Sequence, residues 1–232
     1  MLYIIGLGLN ERGISKEGLL AIEKCKKIYL ENYTVNFPYD VEELHLGKKI
    51  FALGREDVES NRLIKEAKSK KIALLVYGSP LFATTHMSLI LDGEKQKVRV
   101  RVIYSASVLD GVAETGLQLY KFGKIASMPA NQDADFLKYV KENISIGAHS
   151  LILVDIGMGF KKAVLRLKEA VKSENVKVDK ILVCSRIGNE GSEIFYGSID
   201  DLKELKIEKP FCFIIPSDEL HFLEKEGVER FE

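Results

Sequence analysis

Short runs of Val, Ile and Leu alternate with amphipathic stretches along the whole chain, and this alternation most constrains the fold. The run at residues 72–76 (IALLV) is apolar at every position, which is typical of a strand buried on both faces. The stretches between such runs space their apolar residues three and four apart, as helices do. Alternating strands and helices favour an α/β architecture with largely parallel sheets.

The periodicity predicts ten strands and seven helices. The strands are predicted at residues 2–7, 27–30, 50–53, 72–77, 98–104, 126–128, 150–155, 180–185, 193–196 and 211–215. The helices are predicted at residues 16–25, 57–69, 85–91, 109–120, 133–143, 161–172 and 200–205. Ser15 has the residue type and position of an N-cap for the first helix.

The second half of the chain has shorter strands and fewer crossover helices than the first half. We therefore predict two α/β domains, the first with a mainly parallel sheet and the second with a mixed sheet. A boundary near residues 105–110 gives an N-terminal α/β domain at residues 1–106 and a C-terminal α/β domain at residues 107–232. Both lengths are ordinary for domains.

Composition excludes several functional classes. Lys and Arg total 34 against 34 Asp and Glu, so the net charge is zero and direct nucleic-acid binding is not expected. No apolar run approaches the roughly 18 residues of a membrane span, and the first residues lack a basic leader. Cys25, Cys184 and Cys212 are too far apart in sequence for a zinc motif, so we expect reduced thiols in a cytoplasmic protein without a metal.

A glycine-rich loop, GLGLNERG at residues 6–13, follows the first predicted strand. The dinucleotide-binding pattern GxGxxG would need glycine at position 11, where this chain has Glu11. A carboxylate there would also repel a pyrophosphate. The loop is therefore either a tight turn that needs glycine for backbone freedom or a loop that contacts a different ligand.

A second loop, GSPLFATTH at residues 78–86, leaves the carboxyl end of a buried strand, where open α/β sheets bind ligands. Gly78 allows a ligand to approach the backbone closely, and Pro80 stiffens the loop. Thr84 or Thr85 is predicted to cap the next helix. His86 is either a structural histidine or a general base.

Three further loops leave predicted strand ends, at residues 105–107, 155–157 and 185–188. If the loops converge, they form a pocket rich in backbone donors and acceptors, which suits a neutral heterocycle such as adenine. Nucleophile-elbow, P-loop and HExxH motifs are absent from the sequence. A reaction that mainly requires two bound reactants to be held in line therefore fits better than covalent or metal-assisted hydrolysis.

Several segments together resemble the diphthine synthase family. They are YIIGLGL at residues 3–9, GREDVE at residues 54–59, PLFATTH at residues 80–86 and TGLQLYKFGK at residues 115–124. The opening glycine loop is shared with the wider tetrapyrrole-methylase-like (class III) methyltransferases, whereas the last two segments are much more specific.

The resemblance implies two α/β domains with S-adenosylmethionine in the cleft between them, and a homodimer. It implies methylation of the amino group of a 3-carboxy-3-aminopropyl-histidine on translation elongation factor 2, giving diphthine in diphthamide biosynthesis. Carried over by motif, the implied cofactor contacts are Leu9, Ser79, Phe82, Ser107, Val108, Val154, Ile187 and Phe211.

This chain departs from the family pattern at two positions. Ser79 stands where the family usually has Asp, and Phe211 stands where relatives often carry His. The acceptor amine must be neutral to attack, so desolvation or a base must favour its neutral form. The candidates for that base are Glu114, Asp155 and His86.

Three alternatives to the diphthine synthase prediction remain open at the level of sequence. The first is a class III methyltransferase that acts on a tetrapyrrole or another small molecule. The second is a regulator that binds S-adenosylmethionine without turning it over, and the third is a structural α/β scaffold.

Overall fold

The computed structural model describes residues 1–131 and 135–232, and the start of the helix predicted at residues 133–143 lies outside them. The chain divides into two compact units, Met1–Val108 and Leu109–Glu232. All ten predicted strands are present, and none of their ends differs from the prediction by more than two residues.

The first unit is built on a five-stranded parallel sheet with the order β3-β2-β4-β1-β5. Its strands are β1 (Leu2–Gly6), β2 (Lys27–Glu31), β3 (Ile50–Leu53), β4 (Ile72–Val76) and β5 (Val100–Ile103). The prediction of a mainly parallel first sheet is confirmed.

Helices cover both faces of this sheet. Within the described residues these helices are α1 (Lys16–Glu23), α2 (Arg55–Glu59), α3 (Arg62–Ala67) and α4 (Met87–Lys95). Leu2 and Ile4 pack in one buried cluster with side chains of α3 and α4, while Tyr3 and Ile5 pack in another with side chains of α1. Burial on both faces is why the central strand β4 is apolar at every position.

Two local predictions in the first unit have clear outcomes. Ser15 caps α1 as predicted, because its side chain accepts a hydrogen bond from the Gly18 amide at 3.1 Å. The single helix predicted at residues 57–69 is wrong: Ser60 has extended backbone angles, and the chain restarts as α3. The Ser60 hydroxyl donates to the carbonyl of Asp57 and accepts from the amide of Arg62, which stabilises the break.

The second unit contains a five-stranded mixed sheet with the order β6-β7-β10-β8-β9. Only the β6–β7 pair is parallel among its strand pairs in the described residues. The strands are β6 (Ala126–Met128), β7 (Ser150–Val154), β8 (Ile181–Ser185), β9 (Glu193–Gly197) and β10 (Phe211–Ile215). The prediction of a mixed second sheet is confirmed.

The remaining described α-helices are α5 (Val108–Gly111), α6 (Leu137–Ser145), α7 (Phe160–Ser173), α8 (Ile199–Leu202) and α9 (Phe222–Glu229). Val164 and Leu167 of α7 pack on Ile152, Val183 and Phe213 to form the main core of the second unit.

The helix predicted at residues 109–120 is wrong, because the chain forms α5 and then two short 3₁₀ helices, Val112–Thr115 and Leu119–Lys121. Gly116, with φ of +87°, ends the first 3₁₀ helix and lies so close to α9 that a Cβ there would be 2.7 Å from the Cα of Gly227. The sequence prediction also missed α9 itself. Its start does carry a signal, the capping box of His221 and Glu224.

Candidate functional site

Three loops of the first unit meet at the carboxyl ends of the neighbouring strands β4, β1 and β5. The Gly78 amide donates to the Gly8 carbonyl at 2.9 Å, and the Gly8 amide donates back to Gly78 at 3.3 Å. The Ser105 hydroxyl donates to the carbonyl of Gly13 at 2.8 Å. These bonds join the three loops at one edge of the sheet, which is where open α/β sheets bind ligands.

The loop glycines are required by backbone geometry. Gly8 and Gly78 have φ of +75° and +70°, a left-handed conformation that side chains disfavour. A Cβ on Gly6 would lie 2.6 Å from the Gly78 carbonyl oxygen. The interpretation of this segment as a tight turn that needs glycine is therefore confirmed.

Five of the candidate cofactor residues lie on these three loops. Leu9 is buried and its carbonyl accepts a hydrogen bond from the Tyr77 hydroxyl at 2.8 Å. The Phe82 amide donates to the Ser79 carbonyl at 3.1 Å, so these two residues share a turn. The remaining two candidates, Ser107 and Val108, follow β5. Ser107 is buried, and Val108 is half-buried at the first position of α5.

The prediction that Thr84 or Thr85 caps α4 is wrong. The Thr84 hydroxyl donates to the Pro80 carbonyl at 2.7 Å, and the Thr85 hydroxyl donates to Glu59 at 3.0 Å. His86 occupies the N-cap position without a capping hydrogen bond from its side chain. Its ring is only 1% exposed, which supports the structural interpretation over that of a general base.

The second unit brings a matching set of strand ends together. β6, β7 and β8 end at the sheet edge where antiparallel β10 begins. The Asp155 amide donates a hydrogen bond to the Met128 carbonyl at 3.0 Å, and the Arg186 amide donates one to the Pro210 carbonyl at 2.8 Å. The candidate residues Val154, Ile187 and Phe211 all lie at this edge.

These three side chains form an apolar group at this edge. Ile187 and Phe211 are 5% and 9% exposed, and Val154 is half-buried. The Phe211 ring packs edge-on against Phe160, with ring centroids 5.5 Å apart. Phenylalanine at position 211 is thus anchored in the core of this unit, a role that a polar histidine would fill less well.

Two carboxylates were candidate bases beside His86. Asp155 Oδ1 accepts a hydrogen bond from the Gly157 amide at 2.8 Å, so this carboxylate stabilises its own turn. Glu114 is exposed. Among the described residues no group of three His, Cys, Asp or Glu side chains has the geometry to hold a metal ion. No described helix combines the length and apolar character needed to span a membrane.

Sequence reasoning missed a buried polar network in the second unit. Glu224 has no exposed surface, and it accepts hydrogen bonds from Lys121 Nζ at 2.6 Å and from the Gln118 and His221 amides at 2.9 Å each. His149 Nε2 lies 2.9 Å from Glu224, and His149 Nδ1 accepts from the Ser217 amide at 2.9 Å. Because an amide can only donate, the ring proton is on Nε2 and points at Glu224.

The network perturbs both titratable groups. Burial alone would raise the pKa of Glu224, but the hydrogen bonds from Lys121, the two amides and His149 lower this pKa to about 2. Burial lowers the pKa of His149, and the hydrogen bond to Glu224 opposes this shift only in part. The network joins the 115–124 segment to α9, so Lys121 in that segment has a structural role.

Gly123 in the same segment is also structural. A Cβ at this position would lie 2.2 Å from Oδ1 of Asn143, which accepts from the Lys124 amide at 2.8 Å. The Asn143 amide group in turn donates to the Lys124 carbonyl and to the Ser150 hydroxyl. Packing within the second unit therefore requires glycine at position 123.

Comparison with known proteins shows similarity over the full chain. Residues 1–203 match the family described as Tetrapyrrole (Corrin/Porphyrin) Methylases. The chain is 37% identical to a diphthine synthase of Methanocaldococcus jannaschii, over 99% of this chain and 98% of that protein. It is 33% identical to a diphthine methyl ester synthase of Schizosaccharomyces pombe, over 100% of this chain and 94% of that protein. A crystal structure of a diphthine synthase superposes with a TM-score of 0.92 at 33% identity and covers 99% of this chain and 95% of that one.

Proposed function

The chain belongs to the diphthine synthases within the tetrapyrrole methylase family, and from this membership we propose that it methylates the amino group of 3-carboxy-3-aminopropyl-histidine on translation elongation factor 2. It is a methyltransferase of diphthamide biosynthesis. The full-length similarity to a diphthine synthase and a diphthine methyl ester synthase carries this conclusion. The same similarity disfavours the alternative of a class III methyltransferase that acts on a tetrapyrrole or another small molecule.

We propose S-adenosylmethionine as the methyl donor, in contact with Leu9, Ser79, Phe82, Ser107, Val108, Val154, Ile187 and Phe211. The chemistry of these residues fits the cofactor: apolar side chains suit the adenine faces, while two hydroxyls and the loop backbone can bond its polar groups. A Cβ on Gly78 would lie at ordinary van der Waals distance, 3.8 Å, from Ala106 and Ser107, so Gly78 packs beside the loop that carries Ser107.

The chain's contribution to the reaction is positioning and desolvation. When bound, S-adenosylmethionine supplies an electrophilic methyl group that the acceptor nitrogen takes from sulfur in line. Loops fixed by the Gly8–Gly78 bridge and by Ser105 hold their residues in one geometry, and such alignment contributes several kcal/mol to catalysis. An apolar surface around the reacting amine favours its neutral, nucleophilic form.

Three finer points belong to the same proposal. The enzyme works as a homodimer, as the family resemblance implies. It works in the cytoplasm, where buried, unpaired cysteines such as Cys25, Cys184 and Cys212 stay reduced. It has neither a nucleic acid nor a membrane as a direct partner, in keeping with its balanced charge.

The test is transfer of labelled methyl groups from S-adenosylmethionine to elongation factor 2 that carries the aminocarboxypropyl-histidine precursor. We expect label only on the modified histidine, and none on a factor that lacks the precursor group. Label on a tetrapyrrole but not on the factor would favour the alternative, and no label on either substrate would refute the proposal. The variant Ile187→Trp should abolish transfer, whereas Ile146→Trp, at a position that is 73% exposed, should not.

A further inference from the structure

The carbonyl of Pro80 accepts two side-chain hydrogen bonds from residues that follow it in the chain. Thr84 Oγ1 donates to it at 2.7 Å, and His86 Nδ1 lies 2.9 Å from it. Because a carbonyl can only accept, the His86 ring carries a proton on Nδ1 and donates it to Pro80. Pro80 itself stands between Ser79 and Phe82, the two residues of this loop proposed to contact the cofactor.

The loop needs such a restraint because its backbone is strained. Ala83 has φ of +53°, a left-handed conformation that costs a residue with a Cβ roughly 1–2 kcal/mol. Residues in such conformations persist only where neighbouring contacts hold them. The two bonds to the Pro80 carbonyl span this strained residue and fix the loop on either side of it.

The other ring nitrogen of His86 faces a buried carboxyl group. Glu31, 1% exposed, has its Oε2 3.8 Å from His86 Nε2, which is too long for a hydrogen bond. Among the described residues Nε2 has no hydrogen-bond partner. The carboxylate itself is fixed at the end of β2, where it accepts from the amides of Tyr33 and Thr34 at 2.9 and 2.8 Å. The ring is therefore packed between a fixed carboxylate and the Pro80 carbonyl.

We infer that His86 is a positioning residue of the cofactor site, which acts through its Nδ1–H bond to the Pro80 carbonyl and so sets the places of Ser79 and Phe82. This inference rests on the proposed function, since it assumes that the loop contacts S-adenosylmethionine. It assigns the ring no contact with substrate and no proton transfer.

Two variants of His86 separate the bond from the shape of the side chain. The amide nitrogen of Asn can occupy the place of Nδ1 and donate to Pro80, whereas that of Gln reaches the place of Nε2 and faces Glu31. We expect His86→Asn to bind S-adenosylhomocysteine within about twofold of wild type in calorimetry. We expect His86→Gln to bind about fivefold to tenfold more weakly, the usual effect of one lost hydrogen bond. The KM for the donor should rise in His86→Gln while kcat stays close to wild type.

His45→Asn provides a matched control, because His45 is exposed and its φ of +45° is a conformation that Asn tolerates. Equal affinities for the two His86 variants, whether near wild type or equally weak, would overturn the inference, because side-chain volume would then explain the result.

If these variants do not fold, Thr84→Val against Thr84→Ser tests the same carbonyl. Only the valine variant should lose affinity, and equal affinities would again overturn the inference. A wild-type protein that binds no S-adenosylhomocysteine would instead contradict the proposed function.

Discussion

The most informative perturbation of the fold is Glu224→Gln in the buried network of the second unit. Glu224 accepts bonds from Lys121, from two backbone amides and from His149, and a Gln side chain would turn an amide group towards at least one of these donors. The fall in the pKa of Glu224 from 4.5 to about 2 corresponds to roughly 3 kcal/mol, since one pKa unit is about 1.4 kcal/mol. We therefore expect the free energy of unfolding of the variant to be about 3 kcal/mol lower than that of wild type at pH 7. This loss is typical of breaking a buried ion pair.

The pH dependence of this loss follows from the sign of the shift. Because the folded-state pKa of Glu224 is lowered, its stabilisation is fully present above about pH 4.5 and disappears as the pH falls towards 2. The stability difference between wild type and Glu224→Gln should therefore shrink by about 2 kcal/mol between pH 7 and pH 3. Both proteins should also lose stability below about pH 6.5, where His149 becomes protonated when unfolded but resists protonation when folded.

Urea titrations followed by circular dichroism at a series of pH values measure these differences, and the chain contains no tryptophan to follow instead. Glu226→Gln is the matched control, because Glu226 lies on the same helix and is exposed. An unfolding midpoint equal to wild type at pH 7, or a difference that stays constant down to pH 3, would refute this reasoning.

Two pairs of glycine substitutions test how the loops are held. Gly123→Ala should destabilise the protein by about 1–3 kcal/mol because its Cβ would collide with Asn143, whereas Gly159→Ala, with no atom within 4 Å of its added Cβ, should be close to neutral in the same thermal unfolding experiment. Gly78→Ala and Gly147→Ala both force a side chain into a left-handed backbone, with φ of +70° and +66°, and should each cost about 1–2 kcal/mol. Only Gly78→Ala should also weaken binding of S-adenosylhomocysteine, and equal effects of the two alanines on that affinity would count against a cofactor at the Gly78 loop.

The strands were predictable because their signal is local. The apolar run Ile72–Val76 indicates a strand that is buried on both faces. Such burial in turn indicates that helices cover the sheet on both sides. The loops that carry Leu9 and Ser79 could be assigned to one sheet edge because parallel strands place their carboxyl ends together. These predictions required no knowledge of which distant residues touch.

What could not be predicted depends on such distant contacts. Leu109, Val112 and Ala113 have helical spacing, but the segment forms 3₁₀ turns and the first of them ends at Gly116, which has φ of +87° and packs closely against Gly227 of α9. The bond between Lys121 and Glu224 joins residues 103 positions apart, so the TGLQLYKFGK segment was recognisable as a motif while its structural role was not. The role of Thr85 has a similar explanation, since its hydroxyl donates to Glu59, 26 positions away, whereas Thr84 donates to the nearby Pro80 carbonyl.

The central proposal is that the S-adenosyl ligand contacts Leu9, Ser79, Phe82, Ser107, Val108, Val154, Ile187 and Phe211 on their strand-end loops. Hydrogen–deuterium exchange of the full chain with and without S-adenosylhomocysteine tests this claim most directly. We predict slower exchange at residues 78–82 and 105–108 and also at residues 185–188 and 209–212, with no change in α9. Protection confined to one of these two halves, or no protection at saturating ligand, would contradict the account.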